Sequence, residues 1–559
     1  MRFLSLALLL TGLAGAAPTT EARAQSGTVR RHLVYFRDKA GTPYTTAQPQ
    51  AFLSARAVQR RTRQGIAVLP RDLPVSPTYA AQVRATSGVR LVYTSRWFNA
   101  AVVECDSAAL GRLRALACVS TATTLNRTQA PPRPPRGPVP QVPGTPAPAG
   151  RSAASYGEAF WQAQMIGAVA MHDAGYRGEG MQVAVFDAGF PGVDQMAAFA
   201  SLRQEGRLLS TFDFVDKDRT VYEKNGHGTL TLSTLAANQA GYFIGTAPKA
   251  SYHLCITEDV QSEHPVEEAN WLVAAEYADS LGVDVISSSL GYTTFDFPSP
   301  NHTYADMNGR TNIASRAATV AARVGILVLN SAGNDGNNSW QYIGAPADAD
   351  SVITVGAVDS LLVRGFFSST GPTADGRIKP ELAAMGVRAA GLSPGNSILR
   401  GNGTSYACPI LAGMATGFWQ ANPTLTAQQV RQWLIRSGTQ ANSPDNLVGY
   451  GVPNFVRAYN LANPNAPLAA GAGRKPEEEL LVFPNPAGPA LTLQLPEALR
   501  RRPLRVSIRD VRGALVTEQQ LPASSGGQMP LRLPALKAGT YTCTVEAGSE
   551  TRTVRFVRE

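Results

Sequence analysis

Four short segments carry the side chains from which a hydrolytic site can be built. Ser405 follows two glycines and a threonine, and an apolar run covers residues 410–415. The glycines allow a tight loop close to a bound ligand, and the apolar run predicts a buried helix. The serine then lies at a helix N-terminus, where free N–H groups stabilise an oxyanion. A serine hydroxyl is a weak nucleophile, however, and needs a base that is held by an orienting group.

The other three segments supply these partners. His227 lies in Asn-Gly-His-Gly-Thr, where small neighbours leave the imidazole accessible. Asp187 follows the apolar run 183–186, which predicts a buried parallel strand with a carboxylate at its C-terminal tip, where ligands bind in open α/β sheets. Asn334 follows a second apolar stretch that ends in Ser-Ala-Gly, and its amide is a candidate hydrogen-bond donor to an oxyanion.

Each of these residues also has an ordinary structural explanation. Asp187 can form a turn at a strand end, and His227 can be a surface histidine. Asn334 lies in a Gly/Asn-rich turn, and Ser405 can cap a helix. Four such explanations holding at once is a much less economical account than one nucleophile with its base, its orienting acid and its oxyanion donor. The combination therefore favours a catalytic site.

The four motifs Asp-Ala-Gly, His-Gly-Thr, Ala-Gly-Asn and Gly-Thr-Ser-Tyr-Ala-Cys-Pro, in this order, resemble those of the subtilases, the subtilisin-like serine proteases. The order Asp, His, Ser is that of subtilisin. The resemblance covers residues 152–462. It implies a triad of Asp187, His227 and Ser405, an oxyanion hole that includes Asn334, and peptide hydrolysis through an acyl-enzyme.

The chain departs from the family pattern at two neighbouring positions. Ala188 stands where Ser or Thr usually follows the catalytic Asp, and Tyr406 stands where Met usually follows the nucleophile. Neither residue touches the reacting atoms, but Ala188 removes a hydroxyl that can bond to Asp187.

The resemblance also implies a peptide-binding strand. Residues 286–291 match the segment that pairs with the substrate main chain and forms one wall of the S1 pocket, and an extended peptide can add to such an edge. The implied substrate-binding residues are Ser289, Leu290 and Gly291 on this wall, with Ser331, Ala332 and Gly333 opposite.

Composition divides the chain into several predicted parts. A short apolar run after Met1-Arg2 is typical of a secretory signal peptide, whose cleavage site stays open, and it is too short to span a bilayer. A folded segment between such a peptide and a subtilase domain resembles a propeptide, which assists folding and blocks the active site. The predicted parts are a signal peptide (1–24), a propeptide (25–126), a Pro-rich linker (127–151), a peptidase domain (152–462), a linker (463–479) and a C-terminal domain (480–559).

The element pattern predicts the fold class of each part. Strands alternating with helices in the peptidase region predict an α/β fold, a mostly parallel subtilisin-like sheet with helices on both faces. The propeptide pattern is α+β. Short alternating strands near the C-terminus predict a β-sandwich. Its segments Val-Phe-Pro-Asn-Pro-Ala (482–487), Asp-Val-Arg-Gly (510–513) and Leu-Lys-Ala-Gly-Thr-Tyr (536–541), with the basic end 555–558, resemble the sorting domains of type IX secretion substrates in the Bacteroidetes. A generic immunoglobulin-like or carbohydrate-binding module is the alternative.

The charge is unevenly distributed. Residues 25–150 hold 17 Lys/Arg and 4 Asp/Glu, whereas residues 151–474 hold 20 and 27. The high overall pI of about 9.4 therefore reflects mainly the predicted propeptide, and no nucleic-acid-binding motif accompanies it. A basic pro-segment and an acidic peptidase domain are electrostatically complementary.

The five cysteines are few for a secreted protein. Cys255, Cys408 and Cys543 lie in apolar surroundings and are interpreted as buried thiols. The disulfide state of Cys105 and Cys118, both in the predicted propeptide, stays open. No Cys/His set has zinc spacing. The chemistry requires no cofactor, and although subtilases often bind structural calcium, no acidic loop identifies a site.

We therefore predict a secreted or cell-surface endopeptidase that passes through the periplasm. Its predicted partners are polypeptide substrates, its own propeptide as an intramolecular inhibitor and the type IX secretion machinery, with neither nucleic acid nor a transmembrane segment. The alternatives are a surface adhesin whose subtilase-like domain only binds, and an esterase or peptide ligase that uses the same triad. The S1 preference and the physiological substrate stay open.

Overall fold

The first part of the chain is a four-stranded antiparallel sheet with helices. The computed structural model describes residues 28–126, 155–468, 480–483, 487–496, 499–510, 514–523, 527–548 and 550–558, so the predicted signal peptide, the Pro-rich linker and most of the second linker lie outside it. The first elements are β1 (Arg30–Phe36), α1 (Ala55–Arg63), α2 (Pro77–Ala85), β2 (Arg90–Ser95), β3 (Ala100–Cys105), α3 (Ser107–Arg114) and β4 (Val119–Thr124). Their sheet has the order β2-β3-β1-β4, which is the predicted α+β arrangement.

The middle of the chain alternates strands and helices. Its helices are α4 (Phe160–Met165), α5 (Ala168–Asp173), α6 (Ala200–Gln204), α7 (His227–Ala236), α8 (Val266–Leu281), α9 (Ile313–Arg323), α10 (Thr404–Ala421), α11 (Ala427–Arg436) and α12 (Phe455–Ala462). Its strands are β5 (Gln182–Asp187), β6 (Leu208–Asp213), β7 (Asn238–Gln239), β8 (Phe243–Ile244), β9 (Ser251–Ile256), β10 (Val285–Ser288), β11 (Leu327–Ser331), β12 (Ile353–Val358), β13 (Leu382–Met385), β14 (Ala389–Leu392) and β15 (Ile398–Gly401).

Seven of these strands form one parallel sheet in the order β13-β12-β11-β10-β5-β9-β6. Alternate residues of β5 enter two different cores. Val183 and Val185 pack into the cluster that contains α10, and Ala184 and Phe186 pack into the cluster that contains α8 and α9. Because both faces of the sheet are covered, strands such as β5 and β12 are buried at nearly every position rather than at alternate ones. This confirms the predicted α/β fold with helices on both faces.

The first sheet lies against the outer side of α8. Glu276 of α8 accepts hydrogen bonds from the Ser95 hydroxyl and from the backbone N–H groups of Arg96, at 2.9 Å, and Trp97, at 3.2 Å. Apolar residues of β1, β2 and β3 share a buried cluster with Val266 of the same helix. The N-terminal part is thus joined to the middle part by buried polar and apolar contacts.

The C-terminal part consists of two small antiparallel sheets. Its strands are β16 (Leu481–Phe483), β17 (Ala490–Gln494), β18 (Leu504–Arg509), β19 (Leu515–Leu521), β20 (Gln528–Arg532), β21 (Gly539–Ala547) and β22 (Glu550–Arg558). They form sheets of order β16-β17-β20 and β19-β18-β21-β22, and both contribute to one apolar cluster. This agrees with the predicted sandwich. Within the described ranges, no helix is long and apolar enough to cross a membrane.

Candidate active site

The C-terminal edge of the parallel sheet brings the four predicted residues to one region. Asp187 is the last residue of β5, and Asn334 follows the end of β11 by three residues. His227 is the first residue of α7, and Ser405 is the second residue of α10. Parallel strands present their C-terminal ends at one edge, and helices that start there point their free N–H groups toward it. The edge therefore combines titratable side chains with backbone donors.

Asp187 and His227 are joined by a short hydrogen bond. The distance between His227 Nδ1 and Asp187 Oδ1 is 2.7 Å. Since an ionised carboxylate only accepts, the proton is on Nδ1, and Nε2 is left as the acceptor that a general base needs. Asp187 is fully buried, whereas the His227 side chain is 31% exposed. The carboxylate is thus held in the protein while the ring faces the edge of the sheet.

Two further donors hold the Asp187 carboxylate. The backbone N–H of Ala188 donates to Oδ1 at 2.8 Å, and the Thr231 hydroxyl donates to Oδ2 at 2.9 Å. The Thr231 oxygen also lies 3.1 Å from the carbonyl oxygen of Gly228. Its single proton goes to the closer and charged acceptor, because hydrogen bonds to ionised groups are the stronger ones. Thr231 therefore provides a hydroxyl to Asp187 in a chain whose residue 188 is alanine.

The environment of His227 favours its protonated form. Burial acts to lower the pKa of the imidazole, but the charge of Asp187 and its hydrogen bond to the ring outweigh it and hold the pKa of His227 above the ordinary value of 6.5. A reaction that needs the neutral ring as a base loses rate as the pH falls and the ring becomes protonated. Because the pKa is raised, we expect this loss to begin at a higher pH than it would for an unperturbed histidine.

Ser405 and Asn334 meet at the start of α10. The Asn334 side-chain oxygen accepts from the Thr404 backbone N–H at 2.9 Å and lies 3.1 Å from the Thr404 hydroxyl. This orientation turns the Nδ2 group away from the helix backbone, and among the described residues Nδ2 has no hydrogen-bond partner. The amide hydrogens are thus available to a ligand oxygen. Asn334 is exposed, as a residue that contacts substrate must be.

Ser405 makes a different set of contacts from those of a preformed triad. Its carbonyl oxygen accepts from the Ser289 hydroxyl at 3.1 Å. Among the described residues, its own hydroxyl forms no hydrogen bond with His227. Catalytic hydrogen bonds are often long or misaligned without substrate and tighten when it binds. The structure therefore joins Asp187 to His227 and places Ser405 at the same edge without completing the chain of hydrogen bonds.

The two predicted peptide-binding segments follow neighbouring strands. Residues 289–291 follow β10 and residues 331–333 lie at the end of β11, and these strands pair in parallel. The buried Asn330 side chain ties the segments together by donating to the Leu290 carbonyl at 2.9 Å. Gly291 is exposed, whereas the side chain of Ala332 is fully buried against Ile343 and Ala347. The Ala332 N–H also donates to the Val355 carbonyl at 3.0 Å, so this residue is held within the protein and Gly291 is the accessible one of the two.

Gly333 has a conformation that only glycine adopts without strain. Its φ is +104°, and a Cβ there would stand 2.9 Å from the Ser369 hydroxyl oxygen. The Gly333 N–H donates to the Thr404 hydroxyl oxygen at 3.2 Å. This glycine therefore sets the turn that carries Asn334 toward the start of α10.

Three residues of this network did not emerge from the sequence: Thr231, Asn330 and Thr404. Thr231 lies four residues after His227, a spacing that places both on one face of a helix and could have indicated it. Asn330 is a polar residue inside an apolar strand, which is also a recognisable signal. Thr404 is adjacent to the nucleophile, but its contact with Asn334 joins positions 70 residues apart.

The cysteines and acidic side chains contribute no further centre in the described ranges. All five cysteines are buried and unpaired, Cys105 and Cys118 included. Burial raises the pKa of the Cys408 thiol to about 12, so it is not a thiolate near neutral pH. Within the described residues there is no group of three or more His, Cys, Asp or Glu side chains that could hold a metal ion. Structural calcium therefore stays a prediction.

The sequence that forms this site is similar to those of known proteins. The model of the subtilase family matches residues 178–451. Subtilisin DY of Bacillus licheniformis is 33% identical over 288 residues, which cover 51% of this chain and 92% of that protein. Subtilisin BL of Lederbergia lenta is 30% identical over 299 residues, covering 53% and 97%. Serine protease AprX of Bacillus subtilis is 31% identical over 309 residues, covering 50% and 65%.

A mostly parallel sheet with Asp, His and Ser at its C-terminal edge defines a protein of the subtilisin-like class. The chain belongs to the subtilase family, the peptidase family of the named serine proteases above. Two further models match outside the subtilase region. Residues 31–135 match a peptidase S8 propeptide domain of the Bacteroidota, and residues 481–559 match a secretion system C-terminal sorting domain. The sorting domain indicates secretion or attachment to the cell surface.

Proposed function

We propose that this protein is a secreted serine endopeptidase that hydrolyses peptide bonds through an acyl-enzyme on Ser405. The observation that carries the proposal is the 2.7 Å contact between Asp187 and His227 Nδ1, at the edge where Ser405 begins a helix. This contact leaves His227 Nε2 free to accept a proton, and the pKa of the ring is raised. Polypeptides are the proposed substrates because an extended chain can pair with the segment that follows β10.

The proposed reaction has an acylation step and a deacylation step, and His227 acts as base and then as acid in each. On substrate binding, the Ser405 hydroxyl donates to His227 Nε2 and attacks the scissile carbonyl as its proton passes to the ring. The Asn334 amide and the Ser405 backbone N–H donate to the oxygen that becomes negative. The ring then protonates the leaving amine, and a water molecule, deprotonated by the same nitrogen, releases the acyl group. Asp187 orients the ring and stabilises its cation.

We further propose that the N-terminal part acts as an intramolecular inhibitor in a chain made with a signal peptide. Its match to a propeptide domain and its buried contacts with α8 support this role. The proposed partners of the C-terminal part are the components of the type IX secretion machinery, since its model describes a sorting domain. No cofactor enters the proposed chemistry.

Product analysis tests the hydrolytic function. The mature protein is incubated with an unfolded protein substrate, and the fragments are sequenced by mass spectrometry. We expect free carboxyl termini and free amines at internal bonds, in amounts that increase with time. Binding without cleavage favours an adhesin on a subtilase scaffold. Cleavage of small esters alone favours an esterase, and fragments joined in new orders favour a ligase.

Substitution of Thr231 by valine tests how Asp187 is held. Valine keeps the shape of threonine but removes the hydroxyl that donates to Asp187 Oδ2. We expect kcat/KM to fall about tenfold, since a hydrogen bond to a charged group contributes on the order of 1.5–3 kcal/mol. The carboxylate charge becomes less dispersed and holds the His227 proton more tightly, so the acid limb of kcat/KM moves to higher pH. Steady-state kinetics across pH measure both effects.

Two matched variants separate this role from a general loss of packing. Thr231→Ser keeps the hydroxyl and is expected to restore most of the activity. Thr234→Val removes a buried hydroxyl of the same helix, one that donates to the Thr231 carbonyl, and should leave the pH profile unchanged. A Thr231→Val enzyme with an unaltered pH profile would show that Asp187 does not depend on this donor.

Truncation separates export from catalysis. A chain that ends after Leu468 keeps the contacts that Asn463 makes with Asn422 and that Asn460 makes with Leu468, and it lacks the sorting domain. Because Leu468 lies within the predicted linker 463–479, the cut leaves the peptidase domain whole, and we expect full peptidase activity from the purified chain. In the native host we expect retention in the periplasm, measured by immunoblotting of cell fractions. Secretion at the level of the full chain would favour a binding module instead.

A further inference from the structure

The helix α1 contacts the peptidase part at a place remote from the candidate active site. Its Arg56 side chain donates to the carbonyl oxygens of Gly180, at 2.9 Å, and Gly282, at 3.1 Å. Its Arg60 side chain donates to the Val283 carbonyl at 2.6 Å. The accepting carbonyls precede β5 and follow the C-terminal end of α8, which carries negative partial charge. Guanidinium groups are thus matched to the end of a helix.

Carboxylates complete this surface. The buried Asp279, near the end of α8, accepts from Arg60 and, at 2.8 Å, from Arg61 of α1. Asp284, which precedes β10, accepts from Arg56. The Arg60 side chain is only 1% exposed and that of Asp279 is fully buried. Arg96, which follows β2, also donates to Asp279. Loss of Arg60 therefore weakens a buried network of charges and leaves Asp279 with its two other arginines.

The residue that follows α1 extends the same contact to two more helices. The Gln64 side chain donates to the Gly325 carbonyl, beyond the end of α9, at 2.7 Å. It also accepts from the Ala427 N–H, the first residue of α11, at 2.8 Å. A Cβ on Gly325 would stand 2.6 Å from Gln64 Nε2, so the Gln64 side chain lies directly on the backbone of this glycine. One neutral side chain thereby joins the ends of two helices.

All these contacts lie at the N-terminal edge of the parallel sheet. Gly180 precedes β5, Asp284 precedes β10 and Gly325 precedes β11. The candidate active site lies at the opposite, C-terminal edge. Strands of four to six residues separate the two edges by about 13–20 Å. Residues 55–64 therefore reach the peptidase part without approaching Ser405.

We propose that residues 55–64 form an arginine clamp, an anchor that holds the propeptide on the protease independently of the active site. The surface it occupies is acidic and is built from Asp279, Asp284 and the carbonyls at the ends of α8 and α9. It fits a helix that presents arginines three and four residues apart. The clamp sets how long the propeptide stays bound after the chain between the two parts is cut. This inference concerns binding and does not require Ser405 to react.

The lifetime of the cut complex tests the clamp. A recognition site for a specific protease is inserted in the linker 127–151 of the full chain that carries Ser405→Ala, so that only the added protease cuts. After cutting, size-exclusion chromatography at successive times measures the dissociation rate of the N-terminal part. We expect a slowly dissociating complex for the otherwise unmodified chain. With Arg56→Gln and Arg60→Gln together, the rate should rise about 100-fold or more.

Matched variants keep the test decisive. Arg84→Gln removes an exposed arginine of α2, which carries the same charge as each arginine of α1. This variant should leave the dissociation rate within about twofold. Gln64→Ala leaves no buried charge unpaired, so it preserves folding even where the arginine variants do not, and loss of its two hydrogen bonds should speed dissociation about tenfold. Dissociation of the unmodified cut complex within the dead time, or an unchanged rate in Gln64→Ala, would overturn the proposal.

Discussion

Replacement of Ser405 by alanine is expected to remove peptide hydrolysis almost completely. The change deletes one oxygen, the atom that attacks the substrate carbonyl in the proposed reaction. We expect kcat to fall on the order of 10⁶-fold, as when the serine of such a triad is lost. The remaining groups still bind the peptide and polarise its carbonyl, so a residual rate on the order of 10³–10⁴-fold above the uncatalysed one is expected. Release of a fluorescent group from a peptide substrate measures the change.

The fold should be unaffected by this substitution. The Ser405 backbone contact with Ser289 does not use the lost oxygen, so thermal unfolding should shift little. Ser443→Ala, which removes an exposed hydroxyl, is the matched control and should keep full activity. Hydrolysis at the unmodified rate by a purified, folded Ser405→Ala protein would exclude Ser405 as the nucleophile.

Substitution of Asn334 by alanine is expected to act on the transition state. Its Nδ2 group is held by the contacts of Asn334 Oδ1 with Thr404 and has no partner among the described residues. A donor poised in this way strengthens as charge develops on the oxygen. We expect kcat to fall on the order of 10²–10³-fold, the loss that follows removal of one oxyanion donor in enzymes of this kind. KM should change little, because the ground-state carbonyl is bound weakly.

The same loop offers a control. Asn338 is exposed and donates to Asp335 at 2.7 Å within the loop, so Asn338→Ala should keep kcat within about threefold. A substitution at Asn334 that changed only KM would assign it to substrate binding. A loss as large as that of Ser405→Ala would mean that the side chain supports the nucleophile rather than the oxyanion.

Local sequence predicts the elements that carry this site well. Helix α8, at Val266–Leu281, and strand β9, at Ser251–Ile256, belong to the alternation of helices and strands that is predicted for the peptidase region. Both are continuous apolar or periodic runs whose burial follows from composition. Asp187 ends β5 as predicted, because the apolar run stops there and the Ala-Gly that follows cannot continue a strand.

Contacts between distant segments were not predictable in this way. Ala188 indicated a lost hydroxyl at Asp187, but the hydroxyl of Thr231 comes from another helix, 44 residues along the chain. The arginines of α1 resemble an ordinary charged helix in the sequence, and their partner Asp279 lies about 220 residues away. Such pairs depend on how elements pack rather than on local propensity, so a single sequence carries little information about them.

Covalent labelling by a fluorophosphonate tests the central claim most directly. The reagent reacts with a serine only where a base removes its proton and donors stabilise the oxyanion, so it reports the assembled site. We expect the mature protein to gain one label, which peptide mass spectrometry locates on Ser405, and His227→Ala to react far more slowly. A folded mature protein that takes up no label, or takes it up equally in His227→Ala, would contradict an Asp187–His227–Ser405 catalytic site.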